Sequence, residues 1–345
     1  MIVIKFGGTS VKDSDAIRNV SGIINNLLNR QPVVVSSALA GITDLLLDAL
    51  DSAFSHNEDK LRLSCEVIEK RHTEIIDTLI KDADVINSLK ELVEEEMAKL
   101  QVLLQAAKTI RTKSGTLAHA IMSIGEILST KIIAGYLNTL GISTYWMDAR
   151  EVIILEEKKG DYLPDINTIK NKSKNLFEPL FEKYQCILFP GFIGATKDGE
   201  PVTLGRNGSD YTASILGAAI DAEEIQIWSD VDGILTADPT IIPYAKPLKL
   251  MTFDEACELA YFGARVLHPA AIQPALEKGI QVSVLNSNRP DEPGTLIVAA
   301  NGNDKSGRTV KSIAYKEDIT LLTVESSQLL LSLIHISEPT RLRRI

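Results

Sequence analysis

The sequence predicts an α/β protein whose central sheet is mostly parallel and is covered by helices on both faces. Apolar runs at 2–6, 32–37 and 186–189 have the length and composition of strands that are buried on both sides. Amphipathic stretches with helical spacing separate these runs along the chain. Because strands that alternate with helices are typical of parallel sheets, this pattern favours a parallel sheet over an antiparallel one.

The first strand leads into a turn whose residues suit the binding of a phosphate group. Lys5 is the only charged residue of the strand, and Gly7 and Gly8 follow it without side chains. Such glycines let backbone amides approach an anion, and a helix predicted over 13–29 adds the partial positive charge of its N-terminus. Ordinary turn chemistry explains the same residues, and the sequence contains no Gly-x-x-x-x-Gly-Lys-Ser/Thr motif.

Periodicity predicts the remaining elements in chain order. Nearly all of 44–107 is expected to be helical, and its dense Glu and Lys residues predict solvent-exposed helix faces. We expect further helices at 118–140, 165–184, 253–262 and 269–278, and further strands at 142–147, 225–228 and 282–285, the last being the final strand of this sheet.

Small and hydroxylated residues follow two of the predicted strands, at 37–43 and 190–194. In an open α/β sheet such residues at the carboxyl ends of strands line the ligand crevice. A plain turn between a strand and a helix explains 37–43 equally well, with Thr43 as a helix cap.

A glycine-rich loop at 203–213 carries the most informative residues of the chain. Arg206 lies between glycines near a predicted helix N-terminus, where its planar guanidinium suits bidentate capture of a carboxylate or a phosphate. Ser209 or Asp210 is in position to cap that helix, which is the simpler interpretation of the aspartate.

Two other polar residues allow a structural or a functional interpretation. Glu126 follows Gly125 in a predicted helix, so it lies either on a solvated face or where the helix packs closely against the sheet. His268 precedes a proline and favours a capping or packing role over a catalytic one.

Composition and charge exclude several classes of protein. The chain has 345 residues, of which 45% are hydrophobic and 24% charged, and a formal net charge of -10. This charge disfavours nucleic acids and anionic membranes as partners. We expect no membrane span and no signal peptide, and Cys65, Cys186 and Cys257 lack the spacing of a zinc site or a disulfide framework. These features predict a cytoplasmic protein with reduced thiols and no resident metal site.

The end of the chain differs in character from the rest. Segments 286–294 and 301–307 are rich in Asn, Ser, Pro, Asp and Gly, which predicts a linker, and 310–316 and 319–324 then resemble strands. Residues 332–345 lose this periodicity and resemble the translation of a cloning adapter, so we predict a non-native tail.

Taken together, the motifs resemble those of the aspartate kinases of the amino acid kinase superfamily. Seven segments match the family motifs in order, namely 5–10 (KFGGTS), 37–43, 123–126 (SIGE), 191–194 (GFIG), 204–211 (LGRNGSDY), 229–233 (SDVDG) and 262–269. The resemblance extends over residues 2–297, and the order and spacing of the motifs make the match specific.

This resemblance implies transfer of a phosphoryl group from MgATP to the side-chain carboxylate of L-aspartate, giving 4-phospho-L-aspartate, the first step of lysine, threonine and methionine biosynthesis. It implies that Lys5 stabilises the transferred phosphoryl group and that Asp210 organises Lys5. The aspartate site would include Ser37, Ala38, Thr43, Glu126, Phe192, Arg206 and Ser209, with Arg206 on the α-carboxylate and Glu126 on the ammonium group. The nucleotide site would include Lys5, Gly7, Gly8, Ser10, Ser229, Asp230, Leu235 and Arg265.

Several positions depart from the family pattern. Leu235 stands where a tyrosine is usual, Thr240 where an arginine is common and Arg265 where a lysine is usual, so ATP binding could be weaker. Asn207 replaces a loop glycine, but asparagine tolerates a positive φ angle.

The resemblance also predicts the domain organisation. Residues 1–291 would form the catalytic domain, and 292–331 a linker with the start of a truncated ACT regulatory region of α+β structure. Family members normally carry two ACT modules that bind a pathway end product and often build a dimer. We therefore expect a homo-oligomeric parent protein and a loss of feedback control here, and an unpaired strand at 319–324 would reduce solubility.

Three alternatives to an aspartate kinase remain open from the sequence. The same fold could phosphorylate another acid, such as glutamate or an acylated glutamate; Glu126 argues against this because it calls for a free ammonium group. The chain could be a non-catalytic binder of an amino acid or nucleotide, against which Lys5, Arg206 and Asp210 argue. It could also derive from a protein fused to a homoserine dehydrogenase.

Overall fold

The structure, a computed structural model, describes residues 1–110, 115–158, 160–261, 268–299 and 310–315. Residues Met1–Ala314 form one compact unit, to which all described residues but Tyr315 belong. All elements below belong to this unit.

The strands of the described residues form two sheets. The first has eight strands in the order β10-β12-β11-β9-β1-β2-β6-β3, and the second has four in the order β5-β4-β7-β8. The strand bounds are β1 Ile2–Phe6, β2 Pro32–Ser36, β3 Thr144–Trp146, β4 Ile154–Lys158, β5 Asp161–Pro164, β6 Cys186–Pro190, β7 Ile193–Thr196, β8 Pro201–Thr203, β9 Glu224–Ser229, β10 Leu250–Thr252, β11 Gln281–Asn286 and β12 Thr295–Val298.

Helices cover both faces of the larger sheet. The helix bounds are α1 Ser14–Asn26, α2 Ile42–Phe54, α3 Glu58–Leu79, α4 Ala83–Ile110, α5 Gly115–Thr139, α6 Ala149–Val152, α7 Ile166–Phe181, α8 Gly208–Ala219, α9 Phe253–Tyr261 and α10 Pro269–Glu277. One apolar core joins the sheet to the helices α1 to α5, and a second joins its other face to α7, α8 and α10.

The predicted fold class is confirmed. Of the pairings in the larger sheet, only the one between β11 and β12 is antiparallel. Strand β1 lies in the middle and pairs in parallel with β2 and β9. The long helical segment predicted over 44–107 consists of α2, α3 and α4, each separated by a short connection.

The alternation of side chains along β1 decides where Lys5 points. Ile2, Ile4 and Phe6 belong to the core on the side of α1 to α5, and Val3 belongs to the core on the side of α8. Because side chains alternate with a period of two, Lys5 shares the face of Val3. The strand therefore directs its single charge toward α8.

The second sheet was not predicted. Its strands are short, and β5 alternates exposed and half-buried positions, so they carry little apolar signal. Sequence reasoning treated 190–194 as a turn, whereas Ile193–Thr196 is a strand paired with Pro201–Thr203.

The end of the larger sheet also differs from the prediction. β11 is not the last strand, because β12 pairs with it and with β10; of the predicted linker 286–294, Asn286 ends β11 and 287–294 connects β11 to β12. The sheet therefore extends past residue 291, while the assignment of 292–331 to a regulatory region stays a prediction. The strand predicted over 310–316 is absent from the described residues 310–315, and 319–324 lies outside the described residues.

The helix α5 is the one described segment long and apolar enough to cross a membrane by length and composition alone. About two thirds of its most apolar window is buried inside the fold (67%), as in the core helix of a globular domain. Its apolar character therefore follows from its position between the sheet and its neighbouring helices.

Candidate active site

A cavity of about 390 Å³ opens at the carboxyl ends of β1 and β2. It is bounded by the loop that joins β2 to α2, by α5, and by the loop and first turn of α8. Eleven of the predicted catalytic and binding residues line it: Lys5, Gly7, Gly8, Ser37, Ala38, Thr43, Glu126, Phe192, Arg206, Ser209 and Asp210. Residues far apart in the sequence thus form one site.

A buried ion pair lies at the base of the cavity. The Lys5 Nζ atom is 2.5 Å from Asp210 Oδ1, and each side chain is only 11% exposed. Such a pair holds both charged groups in one geometry, because separating them would leave a buried charge unpaired. Lys5 therefore presents a positive charge at a fixed position in the cavity.

Asp210 is not the cap of α8, contrary to the simpler sequence interpretation. The helix begins at Gly208, and its N-cap is Asn207, which adopts the left-handed conformation with φ 57°. Ser209 and Asp210 therefore lie in the first helical turn, where Asp210 faces Lys5. The expectation that Asn207 would accept a positive φ agrees with this geometry.

Glu126 is the most unusual group of the site. Its side chain is buried, with the residue 3% exposed, and its Oε2 atom has no hydrogen-bond partner in the described part of the chain. Burial raises its pKa to about 8, although hydrogen bonds with the backbone of Glu126 and Ala38 act to lower it. A solvated position for Glu126 is therefore wrong.

Close packing at Gly125 brings Glu126 to the cavity. A Cβ atom on Gly125 would lie 3.0 Å from Ala38 Cβ and 3.1 Å from Ile42 Cγ2. The helix α5 thus packs at this glycine against the β2–α2 loop and α2, rather than against the sheet itself.

Two serines connect the β2–α2 loop to α8. The hydroxyls of Ser37 and Ser209 are 3.0 Å apart and form a hydrogen bond, and Ser129 Oγ donates to the Ser37 carbonyl at 2.7 Å. Gly191 makes this approach possible, since a Cβ there would lie 2.7 Å from Ser209 Cβ. These contacts fix one wall of the cavity.

Arg206 and Phe192 form the outer rim. Arg206 is exposed, and it has no ion pair with any of the described residues. Phe192 adopts a positive φ of 68°, and its backbone N–H donates to Thr212 Oγ1 at 3.0 Å. A strained non-glycine residue that is held by a hydrogen bond is typical of functional sites.

The glycine turn after β1 only partly matches the predicted phosphate cradle. The Gly7 N–H donates to the Trp228 carbonyl at 3.3 Å, so this amide is not free for a ligand. Gly8 begins a short 3-10 helix, and a Cβ on it would lie 2.9 Å from the Ala38 carbonyl oxygen. The turn therefore contributes close backbone packing and one helix N-terminus.

Among the described residues, the other predicted nucleotide residues, Ser10, Ser229, Asp230 and Leu235, are not part of the cavity lining. Ser10 Oγ accepts from Ser287 Oγ at 2.9 Å, while Ser229 and Asp230 follow the carboxyl end of β9, the neighbour of β1. Leu235 bridges to Pro247 farther along. Arg265 lies outside the described residues.

The structure adds residues that sequence reasoning missed. Asp44 lines the cavity from the first turn of α2, and Ser129 and Thr212 support it from behind through the hydrogen bonds given above. An acidic residue right after the 37–43 turn was the available signal for Asp44. Ser129 and Thr212 carried none, because their role depends on contacts between distant elements.

The fold and the cavity define a class of protein, and a family comparison agrees. The family model described as the amino acid kinase family matches residues 1–286, so this chain belongs to that family. Within it the chain groups with the aspartokinases, as comparisons with individual relatives show. It is 35% identical to lysine-sensitive aspartokinase 3 of Escherichia coli, across 96% of this chain and 70% of the relative.

Plant relatives and solved structures give the same grouping. Chloroplastic aspartokinase 1 of Arabidopsis thaliana is 37% identical over 335 residues, 95% of this chain and 57% of the relative. The crystal structure of E. coli aspartokinase III in complex with aspartate and ADP has a TM-score of 0.80 at 35% identity, covering 88% of this chain and 65% of that one. The crystal structure of Clostridium acetobutylicum aspartate kinase has a TM-score of 0.74 at 31% identity, covering 91% of this chain and 66% of that one. The chain thus spans less than two thirds of the length of several relatives that it matches.

Proposed function

We propose that this chain transfers the terminal phosphoryl group of ATP to the side-chain carboxylate of L-aspartate, giving 4-phospho-L-aspartate. The observation that carries this proposal is the buried Glu126 Oε2 atom, which has no partner among the described residues and lines the same cavity as the exposed Arg206. A buried carboxyl oxygen without a hydrogen-bond partner calls for a ligand that donates to it, and an ammonium group does so while stabilising the charged carboxylate. Arg206 calls for an anionic one, and a free α-amino acid carries both groups.

The acceptor carboxylate of aspartate needs little activation. A free Asp side chain has a pKa near 3.9, so it is ionised at neutral pH and can attack phosphorus without a general base. Catalysis then consists of positioning and charge neutralisation. The Lys5 ammonium, fixed by Asp210, supplies a positive charge for the transferred oxygen atoms.

The ammonium group of the substrate would change the protonation of Glu126. In the free protein, burial raises the pKa of Glu126 to about 8 and favours the neutral acid at pH 7. An ammonium group beside it favours the carboxylate, so the pKa falls when the substrate binds. Glu126 thus selects a free ammonium group through charge.

The nucleotide is proposed to occupy the region between the glycine turn and the carboxyl end of β9. Ser10, Ser229 and Asp230 lie there, next to the end of β1. The described residues contain no cluster of three or more side chains able to hold a metal ion, so Mg²⁺ would enter with the triphosphate as part of the substrate. When bound, it would neutralise phosphate charge.

The comparisons support this assignment. E. coli aspartokinase III was crystallised with aspartate and ADP, and the relatives in plants and bacteria are aspartokinases. We extend these ligands to the present chain because its cavity contains an anion-binding, a cation-binding and a phosphoryl-stabilising group. The free thiols of Cys65, Cys186 and Cys257 support our further proposal of a reducing compartment such as the cytoplasm.

The first test is the formation of aspartyl phosphate, trapped as the hydroxamate, by the wild type and by Lys5→Ala. We expect an active wild type and a loss of about 10²-fold or more in kcat in the variant, because the developing charge loses its fixed counter-charge. Unchanged circular dichroism and melting would show that the variant is folded.

A comparison of substrates tests the role of Glu126. N-acetyl-L-aspartate retains the reacting carboxylate but lacks the ammonium group, so its kcat/KM should be about 10²-fold lower than that of aspartate. Faster phosphorylation of N-acetyl-L-glutamate than of aspartate would contradict the proposal and favour a kinase for acylated glutamate.

A further inference from the structure

His119 occupies a position that the proposed reaction does not yet use. It lies on α5, and its Nδ1 atom is 2.7 Å from Thr203 Oγ1, the last residue of β8. Its ring packs edge-on against Tyr162 of β5, with ring centroids 6.0 Å apart and an interplanar angle of 89°. The side chain therefore contacts both outer strands of the smaller sheet.

The two residues of this hydrogen bond lie on the two elements that carry Glu126 and Arg206, the charged residues predicted to bind the substrate. His119 precedes Glu126 by seven residues on one helix, which is nearly two full turns, so the two side chains share a face about 10 Å apart along the axis. Thr203 precedes Arg206 by three residues, at the start of the loop that carries the arginine. The hydrogen bond thus connects the element of Glu126 to the element of Arg206.

The rest of the loop has its own local restraints, and among the described residues 204–207 form no hydrogen bond with α5. Leu204 N–H donates to the Phe192 carbonyl at 2.8 Å, and Gly208 N–H donates to the Gly205 carbonyl at 3.1 Å. The first bond fixes the loop to the residue before β7, and the second fixes the loop to itself. The bond from His119 to Thr203 is the one that joins the start of the loop to the helix of Glu126.

We infer that His119 is a positioning residue which sets the separation of Arg206 and Glu126 and so the affinity for the amino acid. The inference rests on the proposed function, in which these two groups bind the α-carboxylate and the ammonium. Both substrate groups are attached to one carbon atom, so the protein groups that bind them need a fixed separation. A shift of about 1 Å at such a site weakens binding markedly.

The surroundings of the histidine suit a permanent hydrogen bond. Thr203 is buried, and burial lowers the pKa of His119 below its ordinary value, which favours a neutral ring at pH 7. A neutral imidazole has one donor and one acceptor nitrogen, and the threonine hydroxyl can donate or accept. The bond therefore forms with either tautomer.

Paired substitutions at both ends of the bond test the inference. His119→Leu and Thr203→Val each remove one hydrogen-bonding group at similar size, whereas His119→Asn keeps a polar atom two bonds from Cβ and Thr203→Ser keeps the hydroxyl. We expect the KM for aspartate to be about tenfold higher in His119→Leu and Thr203→Val, and within about threefold of wild type in His119→Asn and Thr203→Ser. The KM for MgATP should stay within about twofold of wild type in all four variants. The double variant that combines His119→Leu with Thr203→Val should be no worse than either single change, because both remove the same bond.

A second measurement separates positioning from general stability. Hydrogen exchange of a peptide covering 203–210 should be several-fold faster in His119→Leu and Thr203→Val, while a peptide covering 2–11 should exchange as in the wild type. An unchanged KM for aspartate with unchanged exchange would overturn the inference. The inference would also be overturned if His119→Leu and Thr203→Val raised the KM values for aspartate and MgATP equally and lowered the melting temperature, and if His119→Asn did not restore that temperature.

The outcomes also distinguish this inference from the proposed function. If the wild type phosphorylates a different amino acid, the same split in KM is measured with that acid. If it phosphorylates none, the proposed function fails, and exchange of the 203–210 peptide alone decides whether His119 positions the loop.

Discussion

At the scale of single residues, the sequence predicted which side chains line the cavity better than it predicted what they contact. Arg206 stood out because an arginine in a glycine-rich loop is hard to explain otherwise, and Lys5 drew notice as the one charge in an apolar strand, although ordinary turn chemistry also explained it. Asp210 and Glu126 did not, because an aspartate at a helix start and a glutamate in a helix usually have structural roles. Only the three-dimensional structure shows that one pairs with Lys5 and that the other is buried.

The buried Glu126 makes the stability of the protein depend on pH. Its pKa is about 8 in the folded state and near 4.5 when exposed, so between these values the folded state holds a proton that the unfolded state releases. The free energy of unfolding therefore falls as pH rises through this window. Glu126→Gln has no ionisable group at this position. Between pH 5.5 and pH 7 its free energy of unfolding should therefore fall by about 2 kcal/mol less than that of the wild type, since one proton contributes about 1.36 kcal/mol per pH unit.

Urea unfolding of both proteins at several pH values measures this difference. Aspartate added at pH 7 should raise the stability of the wild type but not that of Glu126→Gln. Parallel pH profiles of the two proteins would show that Glu126 ionises normally.

At the scale of elements, prediction succeeded where apolar periodicity was strong and failed where it was weak. Most strands and helices of the larger sheet followed from their buried runs, and β1 was located to the residue. The smaller sheet, β10 and β12 were not predicted, because their strands have three to five residues and mostly mixed exposure. Their pairing depends on residues far away in the chain, which local patterns do not record.

Close contacts between elements at Gly191 provide a prediction about the wall of the cavity. In Gly191→Ala the new Cβ would lie 2.7 Å from Ser209 Cβ and 3.0 Å from its Cα, so α8 must shift and the bond between Ser37 and Ser209 lengthens. We expect KM for aspartate to rise about tenfold and the protein to lose about 1–3 kcal/mol of stability.

Gly22 is the matched control for this change. It lies within α1, and an added Cβ would have no neighbour within 4 Å. Gly22→Ala should therefore leave both KM values unchanged and stabilise the protein by up to about 1 kcal/mol through helix propensity. Steady-state kinetics and thermal unfolding of the two variants would refute the packing argument if they behaved alike.

At the scale of the whole molecule, the segment after β12 returns to the predicted nucleotide region. Ser312 Oγ donates to the Leu235 carbonyl at 2.8 Å, Ile313 N–H donates to the Thr236 carbonyl at 3.0 Å, and Lys311 pairs with Glu255 at 2.8 Å. Sequence patterns predicted a separate module here, because they cannot show that a segment packs back on an earlier loop.

Two shortened chains test what this segment does. A chain of residues 1–315 keeps these contacts, so we expect its hydroxamate activity to stay within twofold of the full chain. A chain of residues 1–309 loses them, and its KM for ATP should rise about fivefold while its KM for aspartate is unchanged, since the contacts stabilise 235–236 and not the cavity. An equal loss of both affinities would point instead to general destabilisation.

The central position of β1 has a consequence for biosynthesis. β1 is made before both of its neighbours in the sheet, β2 and β9, and Val3 finds its second partner only when Ile225 has been synthesised. Until then one edge of an entirely apolar strand, except for Lys5, has no partner and can pair with other chains. We therefore expect expression at low temperature or with extra chaperones to favour soluble protein.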